Sequence, residues 1–327
     1  MTFTYIFGPV TSSRLGRSLG LDLLGRRVCS MDCLYCEVGR TDELTMRRAP
    51  YVPAEVILAE LEQWRAENEI LPDHVTLGGA GEPCLNSEMG AIIDGCRRIL
   101  PEVPVAVLTN TTLLSDTSVC AELAGADIVL PSLDSLVEEE FIKLNRPCGG
   151  LSASDIAESL LQFRAMFKGR IFLEILLAQG INDSEENLAL LKDYVKRLSP
   201  DRVDVTTLSR PGAYPVAKAV PPDVRAHWCS ELSAACAVTP ETPGTVFLRT
   251  GQRADLVERD QKAVTEIIVR SLQRRPQTPD QLALALSLSL EKVESALAVL
   301  VHQGVIHAVD ADAAGLPGAN GPFYSCR

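Results

Sequence analysis

Residues 28–36 read VCSMDCLYC and bring three cysteines, Cys29, Cys33 and Cys36, into one short segment. A zinc site normally takes four ligands from two knuckles, and the chain offers no second Cys or His pair at the usual spacing. Iron-sulfur clusters are held by cysteine thiolates, and a [4Fe-4S] cube held by only three leaves one iron open for another ligand. The segment therefore favours a cluster with an open iron over zinc, and over three cysteines that merely pack in a core.

Short β-branched runs alternate with longer segments of helical periodicity on both sides of the cysteine segment, as in sheets built from βα units. The predicted strands cover 18–24, 74–79, 103–110, 126–133, 170–178 and 202–208. The predicted helices between them cover 53–68, 87–99, 116–124, 152–167 and 184–198. Such strands form an open α/β sheet or a partial barrel, and in both the loops after the carboxyl ends of the strands carry the chemistry.

The pattern changes after about residue 255 to three helices followed by a ribbon. The sequence signal for the N-terminus of the second helix is strong, because Thr278 can cap it, Pro279 occupies its first position and Gln281 completes a capping box. The predicted helices and strands of this part cover 261–274, 278 onward, 290–302, 305–309 and 323–326. We therefore predict a core domain, 1–250, and a separable winged-helix-like domain, 255–327.

The bulk composition bears on location and partners. The chain has 327 residues, ten cysteines and a formal net charge of -12. It shows no basic start followed by an apolar run, and no stretch of ~18 uninterrupted apolar residues. We therefore expect a cytoplasmic protein with no membrane segment, in which cysteines pack or ligate rather than form disulfides. The negative charge repels polyanions at long range, so a nucleic-acid contact needs a local basic patch.

Beyond these patterns, the spacing Cys-x3-Cys-x2-Cys, with Tyr35 before the last cysteine, resembles the radical S-adenosylmethionine (SAM) superfamily. GGAGEP at 78–83 resembles the Gly-Gly-Glu element of that superfamily. GPVTSSRLGRSLGLDLL at 8–24 and TTLSRPG at 206–212 resemble its branch of iron-sulfur oxidoreductases related to wyosine-base (tRNA) synthases. No second cysteine cluster precedes Cys29, as a two-cluster wyosine synthase would show.

The resemblance implies a partial (β/α)6 barrel of radical SAM type, here with the small winged-helix domain appended. It implies a [4Fe-4S] cluster and SAM as cofactors, and an electron donor such as flavodoxin or ferredoxin. In such enzymes the reduced cluster cleaves SAM to a 5′-deoxyadenosyl radical, which abstracts hydrogen from the substrate. The sequence does not identify that substrate.

The resemblance also assigns site residues. Cys29, Cys33 and Cys36 would ligate the cluster. Glu82 would accept hydrogen bonds from the SAM ammonium group, and the glycines before it would admit a close backbone approach. The residues predicted to contact SAM or line the adjoining pocket are Tyr35, Gly79, Gly81, Glu82, Asn110, Ser132, Asp134 and Glu174. Glu174 lies in an apolar run, so an inward-facing carboxylate there must be paired or solvated.

The sequence leaves three possible functions open. The first is a radical enzyme that acts on a substrate such as a tRNA nucleoside, and the second is a peptide- or protein-modifying radical enzyme whose winged helix recognises a partner. The third is a cluster-sensing, DNA-binding regulator. Its recognition helix would offer only Lys292, offset by Glu291 and Glu294, and residues 255–327 hold seven Lys or Arg against nine Asp or Glu. We therefore expect no binding to duplex DNA.

Overall fold

A computed structural model describes residues 3–12, 14–235, 261–286, 288–311, 316 and 321–326. Its strands are β1 Ile6–Ser12, β2 Gly16–Asp22, β3 Val28–Cys29, β4 Glu43–Leu44, β5 His74–Gly78, β6 Val105–Thr109, β7 Ile128–Pro131, β8 Arg170–Leu177, β9 Arg202–Thr207, β10 Ile306–Val309 and β11 Phe323–Cys326. Its helices are α1 Ala54–Glu67, α2 Met89–Ile99, α3 Thr117–Leu123, α4 Glu138–Asn145, α5 Ala153–Met166, α6 Glu185–Leu198, α7 Pro222–Ala235, α8 Gln261–Arg274, α9 Pro279–Leu286 and α10 Leu290–His302. None of the helices in these described ranges is long and apolar enough to cross a membrane.

The central sheet has the strand order β1-β2-β5-β6-β7-β8-β9. Every neighbouring pair is parallel except β1 and β2, which are antiparallel. All six predicted strands form, and the α/β prediction is confirmed. β1 was not predicted, because Pro9 and a register shift between Phe7 and Val10 interrupt its alternation.

The sheet curves into a partial barrel with a helix-covered outer face and a separate inner face. The turn between β1 and β2 reaches β9 at the opposite edge, where Arg202 Nη1 donates to the Arg14 carbonyl oxygen at 3.3 Å. A small apolar cluster, distinct from the large core that includes the helices, fills the inner face: Leu15, Ala106, Ile128, Leu130 and Phe172. Polar side chains above this cluster therefore lie at the carboxyl edge of the strands.

The C-terminal unit (residues 261–286, 288–311, 316 and 321–326) contains three helices and an antiparallel ribbon of β10 and β11 where the sequence predicts them. The predicted capping box is present, since the Thr278 N–H donates to Gln281 Oε1 at 3.2 Å and the Gln281 N–H donates to Thr278 Oγ1 at 3.3 Å. The unit has its own apolar core, which includes Val264, Ile268, Leu272, Leu282, Val293, Leu297, Leu300 and Ile306. The winged-helix assignment and the boundaries at 250 and 255 stay predictions.

The C-terminal unit packs against the barrel. α9 contacts β1, and the Arg274 guanidinium lies 4.3 Å from the centre of the Phe7 ring. Phe323 of β11 is fully buried in one apolar cluster with Leu34 of the cysteine segment and Leu208 after β9. Removing the unit would therefore expose apolar surface beside the cysteines, a coupling that the expectation of a separable domain did not include.

Candidate cluster and cofactor site

The cysteine loop (residues 29–36) is held beyond the carboxyl edge of the sheet by the end of α4. The Leu34 N–H donates to the Leu144 carbonyl at 2.9 Å, and the Asp32 N–H donates to the Asn145 carbonyl at 3.1 Å. The last carbonyls of a helix lack partners within the helix, so the loop satisfies them and is itself positioned. The three cysteines are thus presented from a braced loop.

The three thiols are half-buried, and this burial shapes their protonation. Burial, with a smaller contribution from the Glu82 carboxylate, raises the pKa of Cys29 to about 12, and burial likewise raises the pKa of Cys33 and Cys36. Thiolates at such a site require a compensating cation, which iron supplies. Within the described residues no three Cys, His, Asp or Glu side chains converge on a site for one metal ion. A cube binds one thiolate per iron, so its ligands need not converge on one point.

Two side-chain amides donate toward the cysteine sulfurs. Asn110 Nδ2 lies 3.4 Å from Cys29 Sγ, and Asn145 Nδ2 lies 3.5 Å from Cys33 Sγ. Asn110, a predicted site residue, follows β6, whereas Asn145 was missed because it ends α4, a short helix that was not predicted. N–H donors at sulfur stabilise negative charge there, so both residues suit a ligated thiolate.

Glu82 is 2% exposed and braces the loop after β6. Its carboxylate accepts the Asn110 N–H at 2.6 Å, the Thr109 hydroxyl at 2.7 Å and the Cys84 N–H at 3.0 Å. Burial raises its pKa, and these three donors oppose that rise. Glu82 thus positions Asn110, a role that the sequence did not predict, while its predicted contact with SAM stays a prediction.

Gly79 and Gly81 allow other atoms to come close to their backbone, but in this structure those atoms belong to the protein itself rather than to a cofactor. Gly79 has a φ of 107°, and a Cβ on it would lie 2.4 Å from Asp22 Oδ1. A Cβ on Gly81 would lie 1.7 Å from the Val28 carbonyl oxygen, which also accepts the Glu82 N–H at 3.1 Å. The two glycines therefore let this loop pack against β2 and β3, directly before Cys29.

Asp134 joins the cysteine loop to the sheet. One of its oxygens accepts the Tyr35 hydroxyl at 2.6 Å and Asn145 Nδ2 at 2.8 Å, and the other accepts the Leu176 N–H at 2.9 Å. Asp134 is 3% exposed, and burial raises its pKa. Both oxygens are engaged, so the geometry favours Asp134 as the residue that orients Tyr35 and Asn145.

A small cavity beside these groups has polar residues on part of its wall, and Met31, Leu133, Phe141 and Ile156 line the rest. Asn110, Ser132, Asp134 and Asn145 line it, together with Tyr35. Asn145 Oδ1 is buried and has no hydrogen-bond partner among the described groups. A buried acceptor without a donor is costly, so it fits a bound ammonium or hydroxyl group such as those of SAM.

Glu174 faces the inner side of the sheet, next to this cavity. It bridges to Ser132 on one side and is in register with Asp204 on the other. Its carboxylate forms an ion pair with Arg14. Glu174 is therefore paired, one of the two outcomes expected of an inward-facing carboxylate, and its predicted cofactor contact stays a prediction.

Comparison with known proteins agrees with this geometry. A sequence profile described as the radical SAM superfamily matches residues 26–191. The chain is 35% identical over 211 residues to UPF0026 protein slr1464 of Synechocystis sp., an alignment that covers 64% of this chain and 77% of the relative. It is 30% identical over 301 residues to a protein named GTPase Obg of Brachyspira hyodysenteriae, covering 92% of this chain and 43% of that protein.

A radical SAM methyltransferase from Sphaerobacter thermophilus has a similar fold, with a TM-score of 0.52 and 17% identity over 68% of this chain and 64% of that one. The chain thus spans less than half of the Brachyspira relative and about two thirds of the methyltransferase, and a likeness at this identity extends to the fold alone. The family profile and the Synechocystis relative together show that the chain belongs to the radical SAM superfamily, enzymes that bind a [4Fe-4S] cluster and SAM.

Proposed function

We propose that Cys29, Cys33 and Cys36 each ligate one iron of the cluster and that SAM completes the coordination of the fourth iron. When bound, the two cofactors supply a 5′-deoxyadenosyl radical by one-electron cleavage of the sulfonium, and this radical takes a hydrogen atom from the substrate. The observation that carries the proposal is the pair of amides on Cys29 Sγ and Cys33 Sγ at the carboxyl edge of the sheet. They stabilise negative sulfur, the state that a reduced cluster requires.

In this proposal the residues around the cavity divide into contacting and positioning groups. Ser132 and Asn145 line the cavity and have polar atoms to offer to SAM. Glu82 holds Asn110, and Asp134 holds Tyr35 and Asn145, through the hydrogen bonds described above. Residues that contact a cofactor must be held in position, because hydrogen-bond donors that are displaced lose most of their stabilising interaction with it.

We propose that the electron comes from an acidic carrier such as flavodoxin or ferredoxin. The Arg40 and Arg146 guanidiniums lie 4.6 and 4.5 Å from the centre of the Tyr214 ring, and both side chains reach solvent. Tyr214 donates to Asp32, in the cysteine loop, at 2.5 Å. Arg146 also forms an ion pair with Asp32 at 3.3 Å, so it is Arg40 that gives this patch its positive charge, and on a chain of net charge -12 that charge complements an acidic partner close to the cluster.

The direct test is anaerobic reconstitution followed by reduction with dithionite in the presence of SAM. We expect 5′-deoxyadenosine and methionine in equal amounts, measured by liquid chromatography and mass spectrometry. A fully loaded cluster that produces neither would contradict the proposed function. Protein without iron serves as the control.

Replacing Asn145 with Ala is expected to lower the midpoint potential of the cluster. The substitution removes an N–H donor from Cys33 Sγ, and that donor stabilises the reduced cluster more than the oxidised one. The potential is measured by electron paramagnetic resonance during a redox titration. Asn68→Ala, at the end of α1, removes an amide of the same kind far from the cysteines and should leave the potential at the parent value. Equal potentials in all three proteins would remove Asn145 from the cluster environment.

Glu82→Gln is expected to weaken SAM binding by about 1.5–3 kcal/mol while iron content stays near that of the parent. Asn110 and Thr109 donate to different oxygens of Glu82, and the single amide nitrogen of Gln replaces one of these two acceptors, so at least one hydrogen bond is lost and the loop must shift. Equilibrium dialysis gives the SAM affinity and a colorimetric assay gives the iron content. Glu69→Gln, on an exposed residue, is the matched control. Unchanged SAM affinity in Glu82→Gln would show that the loop does not serve the cofactor.

A further inference from the structure

One residue beside the cavity has a backbone conformation that is rare for its type. Among the residues that the structure describes, those other than glycine with a positive φ are Thr111, Arg146 and Ser199, at 69°, 47° and 46°. Arg146 and Ser199 follow the last residues of α4 and α6, where a left-handed residue is a usual helix ending. Thr111 lies between β6 and α3 and ends no helix, and its branched Cβ makes this conformation unfavourable. Neighbouring contacts must therefore hold it in place.

The polar groups of Thr111 are bonded within the protein, and the residue is only 1% exposed. Its hydroxyl lies 2.5 Å from the Asn110 carbonyl oxygen and 3.2 Å from the Ser132 carbonyl oxygen, and its N–H donates to Thr109 Oγ1 at 3.1 Å. Asn110 follows β6 and Ser132 follows β7, so the hydroxyl joins the ends of two neighbouring strands. Glycine adopts a positive φ at the least cost, so a threonine at this position indicates that the hydroxyl is used.

The turn at Thr111 closes a ring of hydrogen bonds around the side chain of Asn110. Asn110 Nδ2 donates to Ser30 Oγ at 2.9 Å, Ser30 Oγ lies 2.6 Å from Thr112 Oγ1, and Thr112 Oγ1 donates back to Asn110 Oδ1 at 2.8 Å. The Thr112 N–H also donates to Asn110 Oδ1, at 3.3 Å. The amide is thus held at both ends while its Nδ2 lies 3.4 Å from Cys29 Sγ. Hydrogen bonds linked in this way strengthen one another, so they fix the orientation of the donor on the sulfur.

We propose that Thr111 is a positioning residue for the cluster: its hydroxyl holds the strained turn that fixes the Asn110 amide on Cys29 Sγ. The proposal rests on the proposed ligation of the cluster by Cys29 and gives Thr111 an indirect role, through Asn110. Thr111, Asn110 and Ser132 also line the cavity, so a shift of this loop would change the cavity wall together with the donor on the sulfur. Loss of the hydroxyl should thus reach the cluster through a change in the position of Asn110.

The test compares cluster potentials in the reconstituted full chain, by redox titration followed with electron paramagnetic resonance. Asn110→Ala removes the amide from Cys29 Sγ and should lower the midpoint potential, because N–H donors at sulfur stabilise the reduced cluster. Thr111→Val keeps the shape of the side chain without its hydroxyl and should shift the potential in the same direction by a smaller amount. Thr111→Ser retains the hydroxyl and should titrate close to the parent. The double variant Asn110→Ala/Thr111→Val should match Asn110→Ala, since Thr111 acts through that amide.

Tyr194→Phe is the matched control, because it removes a buried hydroxyl that donates to the Ala157 carbonyl oxygen at 2.8 Å, between α5 and α6. It should lower the melting temperature, as Thr111→Val should, and leave the potential at the parent value. Thr111→Ala is titrated in parallel as a second variant without the hydroxyl. It lacks the branched Cβ, so it is less strained in this backbone conformation, and its potential should also fall below that of the parent.

Other outcomes overturn the proposal. If Thr111→Val and Thr111→Ala lose thermal stability but keep the parent potential, Thr111 serves the fold alone. If both fail to assemble a cluster, the hydroxyl forms the site rather than orienting one donor in it. If the double variant shows the sum of the two single shifts, Thr111 does not act through Asn110, and if Thr111→Ser shifts as far as Thr111→Val, the hydroxyl is not responsible. The titrations need no cleavage of SAM, so a parent that holds the cluster but forms no 5′-deoxyadenosine would contradict the proposed function separately.

Discussion

Replacing Cys29, Cys33 or Cys36 with Ala should abolish the cluster, whereas the anaerobically reconstituted parent should hold about four irons per chain. Each thiolate is expected to ligate a different iron, so no remaining donor in the braced cysteine loop can substitute for a lost one. Iron and acid-labile sulfide are measured by colorimetry, and SAM should change the paramagnetic resonance spectrum of the parent only. This is the largest effect that we expect of any single substitution.

Cys96→Ala is the matched control for this experiment. Cys96 is fully buried in α2, outside the cysteine loop, so the substitution should cost about 1 kcal/mol of stability and leave the iron content unchanged. Full iron content in all three loop variants would disprove the assignment of the cluster to residues 29–36. Loss of iron in Cys96→Ala as well would show that the assay reports general unfolding.

Phe323→Ala is expected to lower the free energy of unfolding by about 3–5 kcal/mol. Phe323 is fully buried between the ribbon of the C-terminal unit and Leu34 of the cysteine loop, so its truncation leaves a cavity at that contact. Unfolding in urea is followed by circular dichroism under anaerobic conditions. We also expect faster loss of iron in air, because the loop loses a packing partner and water gains access.

Val299→Ala is the control that shows whether a loss of stability in Phe323→Ala comes from its contact with the cysteine loop or from any truncation in the C-terminal unit. Val299 is 41% exposed on α10, so its truncation should change the stability by less than about 0.5 kcal/mol. If Phe323→Ala is equally mild, β11 does not pack on the cysteine loop and the prediction of a separable domain stands. If it is destabilising but iron is lost at the parent rate, the contact stabilises the fold without protecting the cluster.

Sequence patterns predicted most of the elements because buried parallel strands are short apolar runs between helices of clear periodicity. The elements that were not predicted are β1, β3, β4, α4 and α7, and two of them have clear local causes. β1 carries a proline and a register shift, and α4 is a short helix whose first turn is three glutamates, which favour a helix start but leave little apolar periodicity. Because α4 was not predicted, its last residue, Asn145, was not recognised as a candidate site residue.

By itself the sequence determined the cysteine loop, the strands around it and the presence of Glu82, Asn110 and Ser132 at strand ends, since these follow from spacing over a few residues. Only the tertiary structure decided that Asn145 reaches Cys33 Sγ, that Arg14 pairs with Glu174 and that Phe323 packs in one cluster with Leu34. These contacts join residues that lie far apart along the chain, and their geometry depends on how the sheet curves and where the C-terminal unit packs. Local patterns carry no information about such packing, because it is the sum of many weak contacts between distant elements.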